Sequence, residues 1–196
     1  LPVQVLFTRV VIAFLMLWIL FPHTLKIVDK KRELAFAGAG LFGIVLYFML
    51  ENTALTMTYA SNVGIIVACA PFFVAVIVGI FFKNEKPGVN FFVGFVIAII
   101  GIAVISMNGA KSLHLNPKGD MLAFTAMISW GFYSAIIKKI GEWDYPTAAV
   151  TRRIYFYGML FLIPVLMWQG VSWDVTVVLS VVILHEKMTV VSVAGA

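Results

Sequence analysis

Charged residues are scarce in this sequence of 196 residues, and their scarcity excludes an ordinary soluble domain. They account for 12% of the chain and hydrophobic residues for 62%, with a mean hydropathy of +1.04. A soluble domain has about a quarter charged residues and at most about half apolar ones. The composition therefore predicts a protein that is surrounded largely by lipid.

Cysteine is nearly absent, and histidine is not clustered. Cys69 is the single cysteine, which excludes a disulfide framework and a cysteine-based metal site. His23, His114 and His185 fall in loops or near the ends of apolar runs. No Gly-x-x-x-x-Gly-Lys-Ser/Thr pattern occurs that would cradle a nucleotide phosphate. We therefore predict no catalytic residue, no metal and no cofactor.

Long apolar runs are abundant. A helix needs roughly 20 apolar residues to cross the hydrocarbon layer. We predict an all-α, polytopic membrane protein with six spans, which lie at 3–21, 34–57, 62–82, 89–107, 121–140 and 147–168. A further apolar run at 175–184 is too short to cross the membrane.

Basic residues concentrate in alternate loops between these runs. The first, third and fifth loops hold most of the 14 lysines and arginines, and the positive-inside rule makes those loops cytoplasmic. The same distribution accounts for the net charge of +5 without a basic face for nucleic acid. We predict a multi-pass protein of the plasma membrane whose partners are the lipid bilayer and a small-molecule substrate.

Two short motifs recur along the chain. Thr8-Arg9 begins the 3–21 span and Thr151-Arg152 the 147–168 span, while Glu85-Lys86 and Glu186-Lys187 each follow an apolar helix. The two Thr-Arg spans enter the membrane from opposite sides. Copies of opposite orientation are typical of secondary transporters, in which the substrate binds near the midplane and access alternates.

The second copy is shorter than the first by roughly two helices. We therefore expect a discontinuity in the chain near 173–175, where part of the second copy is skipped. The predicted boundary between the copies divides the chain into 1–110 and 111–196.

Several segments resemble one family. The segments 54–61 and 70–73, Glu85-Lys86 and the pair Gly94 and Gly101 are similar to the five-helix repeat of the EamA-type drug/metabolite transporters. Ser129-Trp130-Gly131-Phe132-Tyr133-Ser134 resembles the start of the second copy, and 179–187 resembles its fourth and fifth helices.

The resemblance implies two inverted five-helix repeats and ten helices in the full protein, with both termini cytoplasmic. About six and a half helices would be present here: helices 2–5 in 1–110 without helix 1, then helices 6 and 7 and the junction of 9 and 10 in 111–196. It also implies export or exchange of amino acids, related metabolites or drug-like compounds across the bacterial inner membrane.

Ionisable residues inside a span are costly and are functional candidates by default. Arg9 and Glu51 both lie roughly 10 Å below the outer surface, at 1.5 Å per helical residue. Three interpretations stay open: a structural ion pair, snorkelling to the interface, or a Glu51 that binds a substrate ammonium or a coupling proton. Arg152 is first explained by lipid headgroup contact, and as the counterpart of Arg9 it is also a gate candidate.

Polar side chains accompany Glu51 near the outer turn. Tyr47 lies four residues before Glu51, and residues four apart share a helical face. A polar stripe in lipid should face protein or water, so the stripe either lines a substrate cavity or bonds helices together. The predicted substrate-binding residues on this side are Tyr47, Glu51, Asn52, Tyr59 and Asn62.

Three further residues complete the predicted site. Trp130 and Tyr133 lie at mid-membrane, away from the interfacial belts that aromatic residues favour, and are either substrate-binding aromatics or packing residues. Pro71 interrupts the 62–82 span and produces a kink, either as a hinge or as a static packing device.

The leading hypothesis is a secondary transporter, and the alternatives are an integral-membrane enzyme or a channel. Clustered acidic and histidine residues at one depth, or a symmetric filter sequence, would favour those alternatives, and neither is visible. The sequence leaves open the substrate, the direction of transport, proton coupling against facilitated exchange, and monomer against dimer.

Overall fold

A computed structural model describes residues 2–22, 25, 29–109 and 116–168 of the chain. All regular structure in these ranges is helical, which confirms the predicted all-α class. The α-helices are α1 (Pro2–Leu20), α2 (Lys30–Ala39), α3 (Tyr47–Met57), α4 (Ala60–Ala68), α5 (Ala70–Phe81), α6 (Val89–Gly109), α7 (Pro117–Gly141) and α8 (Thr147–Trp168).

Two shorter segments complete the path. Gly40–Leu46 is a π-helix, called here the π segment, and it joins α2 directly to α3. A 3₁₀ turn, Lys83–Glu85, follows α5. Five helical stretches of the described chain are long and apolar enough to cross a membrane: Val3–Leu20, Lys30–Met57, Ala60–Phe81, Pro117–Gly141 and Thr147–Trp168.

These stretches match five of the six predicted spans. The sixth predicted span corresponds to α6, which is 21 residues long and includes the apolar stretch Val89–Ile102. The chain is therefore a polytopic α-helical membrane protein.

Local sequence explains where α7 begins and ends. The side chain of Asn116 caps the helix by accepting from the backbone N–H of Gly119 at 3.4 Å, and Pro117 follows at a position that needs no N–H donor. Asp120 in the first turn and two lysines in the last turn complement the helix dipole.

The described residues form two compact units. The first unit comprises the described parts of 1–40 and 143–168, in which α8 packs against α1 and α2. The second unit is 41–142, in which α7 packs against α3, α4 and α5. The repeat boundary near 110 stays a prediction, and the discontinuity expected near 173–175 lies outside the described residues.

The core of the second unit forms where α5 approaches α7. Phe73 on α5 packs with Ala126 and Met127 on α7, and the last two side chains are fully buried. Gly131 permits the close approach, since a Cβ there would lie 2.5 Å from the Cδ1 of Ile77.

The predicted interruption at Pro71 is present. α4 ends at Ala68, Cys69 adopts φ −78° and ψ −4°, and α5 restarts at Ala70 with Pro71 in its first turn. Proline is tolerated in the first turn because the N–H groups there have no partner within the helix. The break is thus built into the span, while a hinge motion at Pro71 stays a prediction.

Candidate functional site

Tyr47 and Glu51 interact on α3. The phenolic O–H of Tyr47 donates to Oε1 of Glu51 at 3.2 Å, and both side chains are partly buried. This contact confirms that the two residues share one face of the helix, as their four-residue spacing predicts.

Two predicted aromatic residues of α7 lie next to this pair. The ring centroids of Tyr47 and Trp130 are 4.8 Å apart, and those of Trp130 and Tyr133 are 4.9 Å apart. Offset or tilted rings at this separation attract one another. We call Tyr47, Glu51, Trp130 and Tyr133 the site cluster.

Small residues allow the site cluster to form. A Cβ at Gly43, in the π segment, would lie 2.6 Å from Cε2 of Tyr133, so only glycine admits the ring at this position. Phe48 also packs against Tyr47, with ring centroids 4.9 Å apart. The rings of Phe48, Tyr47, Trp130 and Tyr133 therefore form a row of tilted contacts, and Tyr47 within this row donates to the Glu51 carboxylate.

The electrostatics of the site cluster centre on Glu51. Among the described residues of 41–142, no lysine or arginine forms an ion pair with this carboxylate, and Tyr47 is its hydrogen-bond donor. A carboxylate within a span is costly unless a proton or a cation compensates it. Aromatic faces also attract cations, so the arrangement is suited to an ammonium group or a proton.

Asn62, another predicted residue of the outer turn, belongs to a separate hydrogen-bond network. The Nδ2 of Asn62 donates to Oγ1 of Thr58 at 3.3 Å, and Thr58 donates to Oδ1 of Asp120 at 2.8 Å. Asn116 extends this network by donating from Nδ2 to the carbonyl of Met57 at 2.5 Å. Thr58 and Asn116 therefore tie the α3–α4 turn to the start of α7, and Asn62 supports Thr58.

Tyr59 and Asn52 are not among the rings and carboxylate of the site cluster. Tyr59 precedes α4 and is 59% exposed, while Asn52 is partly buried on α3. Substrate contacts at Asn52, Tyr59 and Asn62 stay predictions.

The arginines predicted as gate residues lie in the first unit. Arg9 is exposed on α1, and its pairing with Glu51 of the second unit stays a prediction. Arg152 is only 7% exposed, and its Nη1 donates to the carbonyl of Phe21 at 2.5 Å. Because the carbonyls at a helix end have no partner within the helix, Arg152 stabilises the end of α1. Headgroup contact and a gate role for Arg152 both stay predictions.

Sequence reasoning missed an ionic cluster in the first unit. Glu33 on α2 accepts from Nε of Arg153 at 2.9 Å, and its Oε1 also accepts from Nη2 of Arg153 and from the hydroxyl of Tyr157. Glu33 directly follows Lys30, Lys31 and Arg32, and an acidic residue after three basic ones is the signal that the sequence offered.

Arginine and aromatic residues form a second contact of the first unit that was missed. Nη1 of Arg32 donates to the hydroxyl of Tyr145 at 2.8 Å, and its guanidinium lies 5.2 Å from the ring centroid of Trp143. Phe36, which is fully buried, packs against both rings. These contacts hold Trp143 and Tyr145 against α2.

Three curated proteins resemble the chain. It is 25% identical over 146 residues to "Uncharacterized transporter YetK" of Bacillus subtilis, covering 73% of this chain and 42% of that protein. It is 24% identical over 181 residues to an "Uncharacterized transporter" of Archaeoglobus fulgidus, covering 89% and 61%. It is 26% identical over 171 residues to "Uncharacterized transporter YdfC" of Bacillus subtilis, covering 85% and 55%.

The chain thus spans about half the length of the curated relatives it matches. No solved structure matches it. The sequence profile of the EamA-like transporter family matches residues 1–107, which is more than half of the chain and includes α1 to α5 and most of α6. The chain belongs to the EamA-like transporter family.

Proposed function

We propose that the protein is a secondary transporter that exports or exchanges small metabolites across the bacterial inner membrane by alternating access. The observation that carries this proposal is the meeting of Tyr47, Glu51 and Trp130 within membrane-spanning helices. Family membership supports transport itself. The site cluster supplies the chemistry for binding a substrate inside the membrane.

The proposed substrate carries an amine and an apolar or aromatic body, as many amino acids and drug-like compounds do. The Glu51 carboxylate would accept hydrogen bonds from the ammonium group, and charge-assisted bonds of this kind are the stronger ones. The faces of Tyr47 and Trp130 would contact the apolar body and add cation–π attraction.

Glu51 also supports coupling to protons in this proposal. A carboxylate that must be compensated can bind either a proton or the substrate ammonium, but it does not hold both at once. Exchange of one for the other would couple export of an amine to entry of a proton. A facilitator would use the same site without this competition, and the effect of a pH gradient separates the two.

Counterflow in liposomes tests the proposal. The purified protein is reconstituted, preloaded with unlabelled compounds from a panel of amino acids and aromatic amines, and supplied with labelled compound outside. We expect saturable counterflow for at least one amine. When export of that amine is measured, a pH gradient with the acidic side outside should accelerate the export. Flux that rises linearly with concentration, without counterflow, would instead indicate a pore.

A matched pair of variants locates the site. We expect Glu51→Gln to abolish amine counterflow while the protein keeps its elution profile in detergent. Glu85→Gln is the control, because Glu85 lies in the turn after α5 and forms an exposed ion pair with Lys138, and it should transport normally. Normal transport by Glu51→Gln would exclude Glu51 from the substrate site.

A further inference from the structure

The span that carries Tyr47 and Glu51 is not α-helical throughout. Its middle is the π segment, a run of seven residues that ends at Leu46, directly before Tyr47. In a π-helix each N–H bonds to the carbonyl five residues earlier rather than four. Such turns are rare, occur mostly as single turns, and are frequent at functional sites. A π-helix of this length therefore needs contacts that maintain it.

For Phe42 and Gly43, in the second unit, such contacts come from α7. Oγ of Ser129 donates to the carbonyl of Phe42 at 2.8 Å, and Ser129 is only 5% exposed. The ring of Phe42 packs on Phe132 with centroids 5.3 Å apart, and Gly43 contacts the ring of Tyr133. Ser129 directly precedes Trp130 in the chain, and Tyr133 both contacts the π segment and belongs to the site cluster.

We propose that Ser129 is a positioning residue, and that its bond to the Phe42 carbonyl holds the π segment in the register that places Tyr47 against Trp130 and Glu51 beside Tyr47. The assignment of substrate binding to these residues rests on the function proposed above. Ser129 itself does not touch the substrate. It acts through the rotation of α3.

The effect follows from helix geometry. Each residue of an α-helix advances the chain by about 100° around the axis. Conversion of one π turn to α geometry changes the number of residues in that turn by about one. Tyr47 and Glu51 follow the π segment, so both would rotate by about 100° and leave the face that Trp130 contacts. The Ser129 bond favours the π register over this alternative.

The chain offers a close control. Ser134 lies on the same helix, but its Oγ donates to the carbonyl of Trp130, four residues earlier, at 2.9 Å. That bond is local to α7 and does not reach the π segment. Ser134→Ala therefore removes a serine hydroxyl of α7 without removing the contact to Phe42. Ser129→Thr keeps a hydroxyl at the critical position.

Spin-label distances test the register directly. Replacing Cys69, the single cysteine, by alanine gives a background for the pair Thr53→Cys on α3 and Thr125→Cys on α7, both exposed positions of the second unit. We expect Ser129→Ala to add a distance population displaced on the order of 5 Å, as a rotated helix of this radius would produce. Ser129→Thr and Ser134→Ala should keep the original distribution.

Transport kinetics give the second readout. For the amine identified by counterflow, we expect Ser129→Ala to raise KM by about three- to tenfold. This factor corresponds to the free energy of one interhelical hydrogen bond in a membrane. The change in kcat should be smaller. Ser129→Thr should restore KM.

An unchanged distance distribution in Ser129→Ala overturns the proposal, whatever transport does. A displaced distribution with unchanged KM also overturns it, since the register would then not matter to the site. Failure of the function proposed above is distinguishable, because it is measured by Glu51→Gln and does not depend on the spin-label distances.

Discussion

The indole ring of Trp130 on α7 lies between two tyrosine rings, 4.8 Å from that of Tyr47 and 4.9 Å from that of Tyr133 by ring centroids. Trp130 thus contacts both tyrosines, and Tyr47 in turn donates to Glu51. Removing the Trp130 ring therefore removes both ring contacts at once.

Trp130→Leu should therefore weaken amine binding. Loss of an aromatic face that contacts a cation costs about 1–2 kcal/mol, so we expect KM for the amine to rise roughly tenfold with a smaller change in kcat. Counterflow kinetics measure both constants. Trp168→Leu is the control, because Trp168 is 89% exposed at the end of α8. Equal KM values in the two variants would contradict a role of Trp130 in binding.

The Glu33–Arg153 pair gives a prediction about stability. Glu33→Gln leaves the guanidinium of Arg153 without its carboxylate partner, and hydrogen bonds to charged groups contribute about 1.5–3 kcal/mol. We expect a lower Tm in detergent, measured by a thermal shift assay. Exchanging the pair, with Glu33→Arg and Arg153→Glu together, should recover part of the loss, and a double variant no more stable than the single ones would argue against a direct pair.

The sequence predicted those parts of the site that depend on spacing within one helix. The bond between Tyr47 and Glu51 follows from a separation of four residues. Trp130 and Tyr133 were predicted as mid-membrane aromatics, but their contact with Tyr47 depends on how α3 packs against α7. Packing of helices distant in the chain has no periodic signal in a single sequence.

The missed features are of two kinds. Glu33 and Arg153 are 120 residues apart in the chain, and only the packing of α2 on α8 brings them together. The π segment has the composition of an ordinary apolar helix, and its contacts with Ser129 and Tyr133 come from a helix distant in the chain. Hydropathy therefore located the span but not its irregular turn.

Arg152 provides a test of helix capping. Its guanidinium donates to the Phe21 carbonyl at the end of α1, where a cation also complements the helix dipole. We expect Arg152→Leu to lower the free energy of unfolding by about 1–3 kcal/mol, since a carbonyl would be left without its donor. Unfolding in a denaturing detergent measures the loss.

Lys139→Leu is the comparison for Arg152. Lys139 is 54% exposed at its side chain and pairs with Glu142 three residues later, and exposed pairs of this kind contribute less than about 1 kcal/mol. A loss at Arg152 no larger than that at Lys139 would show that the buried bond to Phe21 does not stabilise the protein.

Replacement by alanine should affect stability differently at two glycines of the membrane helices. At Gly131 a Cβ would lie 2.5 Å from Cδ1 of Ile77 and 3.1 Å from the carbonyl oxygen of Phe73, so the Ile77 side chain must move and the Phe73 backbone must shift by a few tenths of an ångström. Overpacking of this kind costs about 1–3 kcal/mol. At Gly101 on α6 nothing lies within 4 Å of the added Cβ, and alanine is favoured over glycine in a helix by about 1 kcal/mol.

We therefore expect Gly131→Ala to lower Tm and Gly101→Ala to leave it unchanged or raise it, as measured in the same detergent. The close approach of α5 and α7 also supports the helix that carries Trp130, so Gly131→Ala should raise KM for the amine together with its loss of stability. A Gly131→Ala protein as stable as the unsubstituted one would mean that α5 and α7 do not pack at this distance, because the Phe73 backbone cannot yield to a Cβ as a flexible side chain can.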